Sequence, residues 1–223
     1  REQERTFKRI IVMFSWKEIC SLLNKTEIPT DDFLFTHIST DSRSGNNNEK
    51  TVFFALSGPN FNGADFIEKA AEQGVRYFVS EQDCRGNVSG IQVLLVPNVL
   101  QALQKLAASH RAKFALPVIA ITGSNGKTVV KEWLYYLLSP DYYIAKSPKS
   151  YNSQVGVALS VLTLEQQHTL GIFEAGISTT NEMQALADML QPEIAVLTNI
   201  YSAHDVGFEN RSQKFSEKAK LYT

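Results

Sequence analysis

The spacing of apolar residues changes several times along this chain, and each change marks an element. Trp16, Ile19, Cys20, Leu22 and Leu23 recur at helical intervals behind Ser15, and Glu18 stands three residues after that serine, so a capping box opens a short helix. Thr51 to Leu56 is instead a β-rich run. Phe66, Ile67, Ala70 and Ala71 return to helical spacing within 64–73, with Gly74 placed to stop the helix, and 75–79 and 94–96 read as strands. The stretch 42–50, with Gly45 and three consecutive asparagines, is expected to be an exposed loop. From Asn98 onward, Val99, Leu100, Leu103, Leu106 and Ala107 mark a helix that joins two units, with the boundary expected near Phe114.

Beyond that boundary, strands and helices alternate. Strands are expected at 118–122, near Ile144, and at 171–174 and 194–199. Helices are expected from Lys127, from Gly156, over 182–190 and from Phe215. Such alternation predicts an α/β protein with a mainly parallel sheet covered on both faces and ligands beyond the carboxyl ends of its strands. The expected organisation is a small mixed α/β domain over 13–113 and a second domain over 114–223 whose last helix is cut short. Residues 1–12 read as an upstream extension, since Met13 directly precedes the capping box.

Composition narrows the function. Lys plus Arg number 22 against 23 Asp plus Glu, a net charge of -1, so no overall basic field gathers nucleic acid or an anionic membrane, and any bound anion must be held locally. No apolar run approaches the roughly 18 residues of a membrane span. Cys20 and Cys84 belong to no Cys-x-x-Cys or Cys/His cluster and read as thiols in or near the core. A cytoplasmic protein is expected; the oligomeric state stays open.

The strongest chemical signal is Thr122-Gly123-Ser124-Asn125-Gly126-Lys127-Thr128, between a buried strand and a helix. Glycines let backbone N–H groups turn toward phosphate oxygens, the helix N-terminus adds partial positive charge, Lys127 reaches terminal phosphates and Thr128 offers a hydroxyl to Mg²⁺. Ile121 occupies the first glycine position of the common pattern, so this is a shortened variant; an ordinary capped strand-to-helix turn is the plain alternative. Glu174 ends the next long strand at the same sheet edge. It is either a solvated strand end or an oxygen ligand for a hard cation. Asn199 closes a further strand and His204 follows it.

The runs Ile-Thr-Gly-Ser-Asn-Gly-Lys-Thr, Tyr-Asn-Ser-Gln-Val-Gly, Phe-Glu-Ala-Gly, Thr-Asn-Ile-Tyr-Ser-Ala-His and Lys-Ala-Lys, in that order, resemble the ATP-dependent Mur ligases of peptidoglycan synthesis. Upstream, Ser39-Thr40-Asp41-Ser42-Arg43, the run 52–58 and Asn62-Gly63-Ala64-Asp65-Phe66 are similar to the UDP-binding domain of the members that add the third residue or the terminal dipeptide. Lys131-Glu132 after the loop favours the dipeptide branch, with the third-residue branch as near rival.

The resemblance implies an amide ligase that uses ATP and Mg²⁺ to join D-Ala-D-Ala to UDP-MurNAc-tripeptide through an acyl phosphate. It further implies that Gly123, Ser124, Asn125, Gly126, Lys127, Thr128, Asn152 and Asn199 serve ATP. Thr128, Glu174 and His204 would serve Mg²⁺, and Ser42 and Arg43 the UDP group. Lys220, the second lysine of Lys-Ala-Lys, would match a family lysine that becomes a metal-binding carbamate; from its own position a solvated helix lysine is the alternative. Lys127, His204 and Lys220 are then the residues closest to the reaction. Asn152-Ser153 and Ala158 depart from the family's Asn-Asn and proline, and the family's carboxyl-terminal domain is expected to be absent. A non-catalytic fragment that keeps UDP-substrate or nucleotide affinity is the second expectation.

Overall fold

The computed structural model describes residues 14–23, 32–86, 88–201 and 207–222. Contacts divide the chain into two units, 1–103 and 104–223. In the first unit, β1 (Phe14–Ser15) leads into α1 (Trp16–Leu22), whose N-cap Ser15 accepts from the Glu18 N–H at 3.1 Å, as the capping box predicts. β2 (Leu34–Phe35) pairs antiparallel with β1. A four-stranded, wholly parallel sheet follows in the order β3 (His37–Ser39), β4 (Thr51–Phe54), β5 (Tyr77–Ser80), β6 (Gln92–Leu95). A 3-10 turn over Gly63–Phe66 runs into α2 (Ile67–Glu72), and Ile67, Ala70 and Ala71 bury against Phe53, Phe78 and Val93. Both cysteines are buried thiols.

The asparagine-rich stretch is not simply an exposed loop. Asn47 is buried, and its amide donates to the Asp41 carbonyl at 3.1 Å and to Gln73 Oε1 at 2.7 Å, while Gln73 Nε2 donates to the Ser42 carbonyl at 2.7 Å. Polar side chains can replace secondary structure in ordering such a segment, and polarity alone does not disclose that.

α3 (Val99–Arg111) begins in the first unit, where Glu81 Oε1 accepts from the Val99 N–H, and ends in the second, where His110 Nε2 lies 3.0 Å from the Leu164 carbonyl. The division between the units, at 103/104, falls within this helix.

In the second unit β7 (Val118–Thr122), α4 (Lys127–Leu138), β8 (Ile144–Lys146), α5 (Gln154–Val161), β9 (Leu170–Glu174), α6 (Glu182–Leu190), β10 (Ile194–Leu197) and α7 (Arg211–Ala219) follow in turn. The sheet order is β10-β7-β9-β8, all parallel. Every residue of β7 and β9 is buried, which explains their unbroken apolar runs. Val130, Leu134 and Leu138 of α4 pack on Ile119, Ile121, Leu170 and Ile172.

After β7 the chain crosses toward β8, and after β9 it crosses back to β10 on the other side of β7, so a topological switch lies between β7 and β10 at their carboxyl ends. α5 and α7 start earlier than their apolar spacing suggests, because side chains cap them. Ser153 accepts from Gly156 N–H at 3.1 Å and Asn210 from Gln213 N–H at 2.9 Å.

Buried Arg111 fixes the entry to β7. Its guanidinium donates to the carbonyls of Leu190, Phe114 and Leu116 at 3.0, 2.7 and 3.1 Å. Arg111→Ala would strand these acceptors and is expected to lower the unfolding free energy by about 2–3 kcal/mol. Glu193→Gln weakens a 3.7 Å contact to Arg111 from an exposed carboxylate and keeps an amide oxygen able to accept from the Val118 N–H, as Glu193 Oε2 does at 2.5 Å; it is expected to cost under about 1 kcal/mol. Urea titration compares them; equal losses would show that the ion pair, not carbonyl satisfaction, holds this corner.

Candidate active site

The loop after β7 is shaped by two glycines and pinned by β10. Gly123 and Gly126 have φ of +143° and +81°, conformations that side chains resist. At Gly123 a Cβ would stand 1.9 Å from Thr198 Oγ1. That threonine donates to the Asn125 carbonyl at 2.6 Å, and Asn199 Oδ1 accepts from the Asn125 N–H at 3.0 Å. Ser124 N–H donates to the Asn199 carbonyl at 3.0 Å, while Ser124 Oγ donates to the Tyr201 carbonyl at 3.1 Å. Gly126 begins α4 with no side-chain cap, so the first N–H groups of the helix lack intrahelical acceptors and point outward at its positive end. Lys127 reaches back to the Gly123 carbonyl at 2.8 Å, and burial lowers its pKa. Together these features form a cradle of donors at the switch point.

Glu174, fully buried at the end of β9, stands beside it. Its Oε2 accepts from Thr128 Oγ1 at 3.1 Å and from Asn152 Nδ2 at 3.3 Å. Its Oε1 lies 3.0 Å from Lys131 Nζ, an ammonium with no exposure that also donates to the carbonyls of Ser147, at 2.9 Å, and Lys149. The solvated strand-end alternative for Glu174 is therefore excluded. Lys131 is a residue that sequence reasoning used only as a mark of resemblance. Its position beside Val130 on the packed side of α4 was the available signal, since an unpaired charge does not go there.

Of the other expected site residues, Gly123, Ser124, Asn125, Gly126, Lys127, Thr128, Asn152, Glu174 and Asn199 gather around this edge, as the contacts above describe. His204 lies outside the described residues. Lys220 Nζ pairs with Glu217 Oε2 at 2.6 Å, and Glu217 Oε1 accepts from the Met183 N–H at 3.2 Å. In the first unit, Ser42 is buried, and Arg43, 80% exposed, turns its fork onto both oxygens of Asp41 at 2.9 and 3.0 Å. The hydrogen bonds from Arg43 hold the Asp41 carboxyl below its ordinary pKa.

Two lysines of α7 were not anticipated. Lys214 donates to the Tyr201 carbonyl at 2.9 Å. Lys218 is buried, and desolvation, reinforced by Lys127 and Lys214, pushes its amine down to about 8. A displacement of that size disfavours the ammonium by roughly 3 kcal/mol, more than the ~0.3–1 kcal/mol that a place near a helix C-terminus returns.

Comparisons with known proteins identify the family. Residues 121–223 match the model described as Mur ligase middle domain, and 35–111 the one described as Mur ligase family, catalytic domain. A UDP-N-acetylmuramoyl-tripeptide--D-alanyl-D-alanine ligase of Borreliella burgdorferi is 36% identical over 192 residues, covering 82% of this chain and 41% of that protein. The ligase of the same description from Treponema pallidum is 32% identical over 220 residues, covering 94% and 47%. Among solved structures, MurF from Acinetobacter baumannii superimposes with a TM-score of 0.82 at 28% identity, covering 95% of this chain and 47% of that one. MurF ligase from Thermotoga maritima in complex with ADP does so with 0.73 at 30%, covering 83% and 42%. The chain spans less than half the length of these relatives.

The buried ion pair makes a double-mutant prediction. Lys131→Met leaves Glu174 charged and facing an apolar group, an expected loss of about 3–5 kcal/mol. Lys131→Met combined with Glu174→Leu removes both charges and should cost less than the single change. Chemical denaturation of the three proteins tests this; strictly additive losses would mean that the two groups do not act on each other.

Proposed function

This chain belongs to the Mur ligase family, and from that premise we propose that it carries the UDP-substrate and ATP-binding parts of a ligase joining D-Ala-D-Ala to UDP-MurNAc-tripeptide. The observation that carries this reading is the uncapped, glycine-shaped loop at the switch point, with a lysine inside it and a buried carboxylate beside it. A free carboxylate is a poor acyl donor. Transfer of the γ-phosphoryl group of ATP to the tripeptide carboxylate gives an acyl phosphate and ADP; the amine of the dipeptide then attacks the acyl carbon, loses a proton and expels phosphate. Positioning and charge stabilisation are the main demands that these steps make of a protein.

The residues divide those demands. Outward N–H groups at the start of α4 hold phosphate oxygens, while those of Ser124 and Asn125 keep the loop on Asn199, and Lys127 exchanges the Gly123 carbonyl for a terminal phosphate oxygen. Asn199 keeps the loop in register, and Asn152 fixes Glu174 from the other side. The oxygen pair Thr128 Oγ1 and Glu174 Oε2, 3.1 Å apart, has the hard-donor chemistry that suits Mg²⁺. His204 is a further ligand in this reading, and so is Lys220 once carbamylated, for which it has to leave Glu217. When bound, Mg²⁺ supplies charge neutralisation at the phosphates. In the first unit Arg43 would release the fork it now places on Asp41 to take the UDP diphosphate beside Ser42. No helix among the described residues is long and apolar enough to cross a membrane, and the nucleotide substrates place the reaction in the cytoplasm.

Because the chain spans less than half of its relatives, a binding module without turnover is the second reading. Calorimetry with ATP and with UDP-MurNAc-tripeptide, beside a phosphate-release assay with and without D-Ala-D-Ala, separates the two: dipeptide-dependent release supports the ligase, and binding without it supports the module. Lys127→Ala is expected to weaken ATP about tenfold or more while leaving the UDP-tripeptide within about twofold, and Arg43→Ala to do the reverse. The opposite ordering would overturn the assignment of roles to the two units.

A further inference from the structure

Neighbouring parallel strands need a crossover, commonly a helix, yet residues 40–50 join β3 to β4 with no regular element. Side chains meet the backbone polar groups of this segment instead. The Asp41 carbonyl accepts from Ser39 Oγ at 3.2 Å, from the Ser44 N–H at 3.1 Å and from Asn47 Nδ2 at 3.1 Å. The Ser42 carbonyl accepts from Gln73 Nε2 at 2.7 Å, and the Arg43 N–H donates to Asp41 Oδ1 at 2.9 Å. Both peptide planes that flank Ser42 are therefore fixed, the one joining 42 to 43 at its two ends. With them are fixed the directions in which the Ser42 and Arg43 side chains leave the backbone.

Most of these ties are made within 39–47, but Gln73 reaches in from another element. It is the C-cap of α2, 31 positions beyond Ser42, and that helix is anchored in the core through Ile67, Ala70 and Ala71. Its amide is used at both ends, since Oε1 accepts from Asn47 Nδ2 at 2.7 Å. Asn47 Oδ1, in turn, is buried with no hydrogen-bond partner among the described residues. An orphaned acceptor lowers stability, and such a departure is expected where position matters more than stability.

We infer that Gln73 is a positioning residue for the UDP substrate: through the Ser42 carbonyl it sets the peptide plane from which Arg43 leaves, so that the guanidinium meets the diphosphate when it releases Asp41. The inference rests on the proposed UDP role of Ser42 and Arg43. Gln73 itself touches no substrate.

The test measures UDP and ATP binding to the full chain by calorimetry, together with melting temperatures, so that affinities are compared where every variant is folded. Gln73→Met, which keeps the length of the side chain and removes its amide, is expected to weaken UDP about fivefold and to leave ATP within about twofold. In an Arg43→Ala background the same change should cost less than about twofold, because the guanidinium that it aims is gone; a merely structural glutamine would give the same fold-loss in both backgrounds. Unchanged UDP affinity, equal losses of UDP and ATP, or independent losses in the double variant would each overturn the inference. If the unaltered protein binds no UDP, or Arg43→Ala binds it equally well, the UDP reading itself fails and the inference falls with it. If Arg43→Ala weakens UDP and Gln73→Met does not, only the role of Gln73 fails.

Discussion

The second unit is organised around one carboxylate that never meets water. Glu174 ends β9 and receives Thr128 from the first turn of α4, Asn152 from the segment before α5, and Lys131 from one turn further along α4. A buried carboxylate left unpaired would take up a proton or destabilise the fold by several kcal/mol, so the segments that supply its partners are bound to the position of β9. Hydrogen bonding between parallel strands fixes β9 against β7, with Glu174 opposite Ile121. The start of the glycine loop is therefore placed by sheet register, and the start of α4 by side-chain satisfaction at the same edge.

On the other flank the loop is tied to β10 by backbone and amide groups of 198–201, and these bonds carry no net charge. The asymmetry suits phosphate chemistry. Negative charge is kept on the β9 side, where a cation is needed, and is already half neutralised by Lys131. The β10 and α7 side carries Lys127, bonded to the Gly123 carbonyl, and Lys214, bonded to the Tyr201 carbonyl. A chain with a net charge of -1 thus builds a strong local field without a global one, through the order of its strands.

Long, regular elements were legible in the sequence because their signals are local. The capping box at Ser15, the unbroken apolar strands 118–122 and 170–174, and the glycine loop between β7 and α4 each declare themselves within a few residues. β1, β2 and β3 did not, since strands of two or three residues carry no alternation and owe their existence to partners distant in sequence. The same distinction divides the candidate site. Loop residues and Glu174 could be named from spacing, whereas Lys131, Thr198, Lys214 and Lys218 acquire meaning only when the sheet brings residues some 40 to 90 positions apart into contact. Asn47 shows the converse: a residue type that reads as loop becomes a buried tie once Asp41 and Gln73 converge on it.

Local rules are broken where this unit gathers charge, and the breaks point in one direction. α4 begins without a capping side chain, Gly123 tolerates no Cβ, Thr122 keeps a buried hydroxyl without a hydrogen-bond partner among the described residues, and α7 buries lysines on one face. Taken singly, each of these lowers stability by an amount that a substitution could recover. Taken together, the uncapped N–H groups of α4 and the Thr122 hydroxyl lie at the carboxyl edge of one sheet, beside the lysines of α7, of which Lys214 donates to the Tyr201 carbonyl. A fold under selection for stability alone would scatter such defects or remove them. Their concentration at the topological switch is the arrangement on which the proposed phosphate-binding role rests.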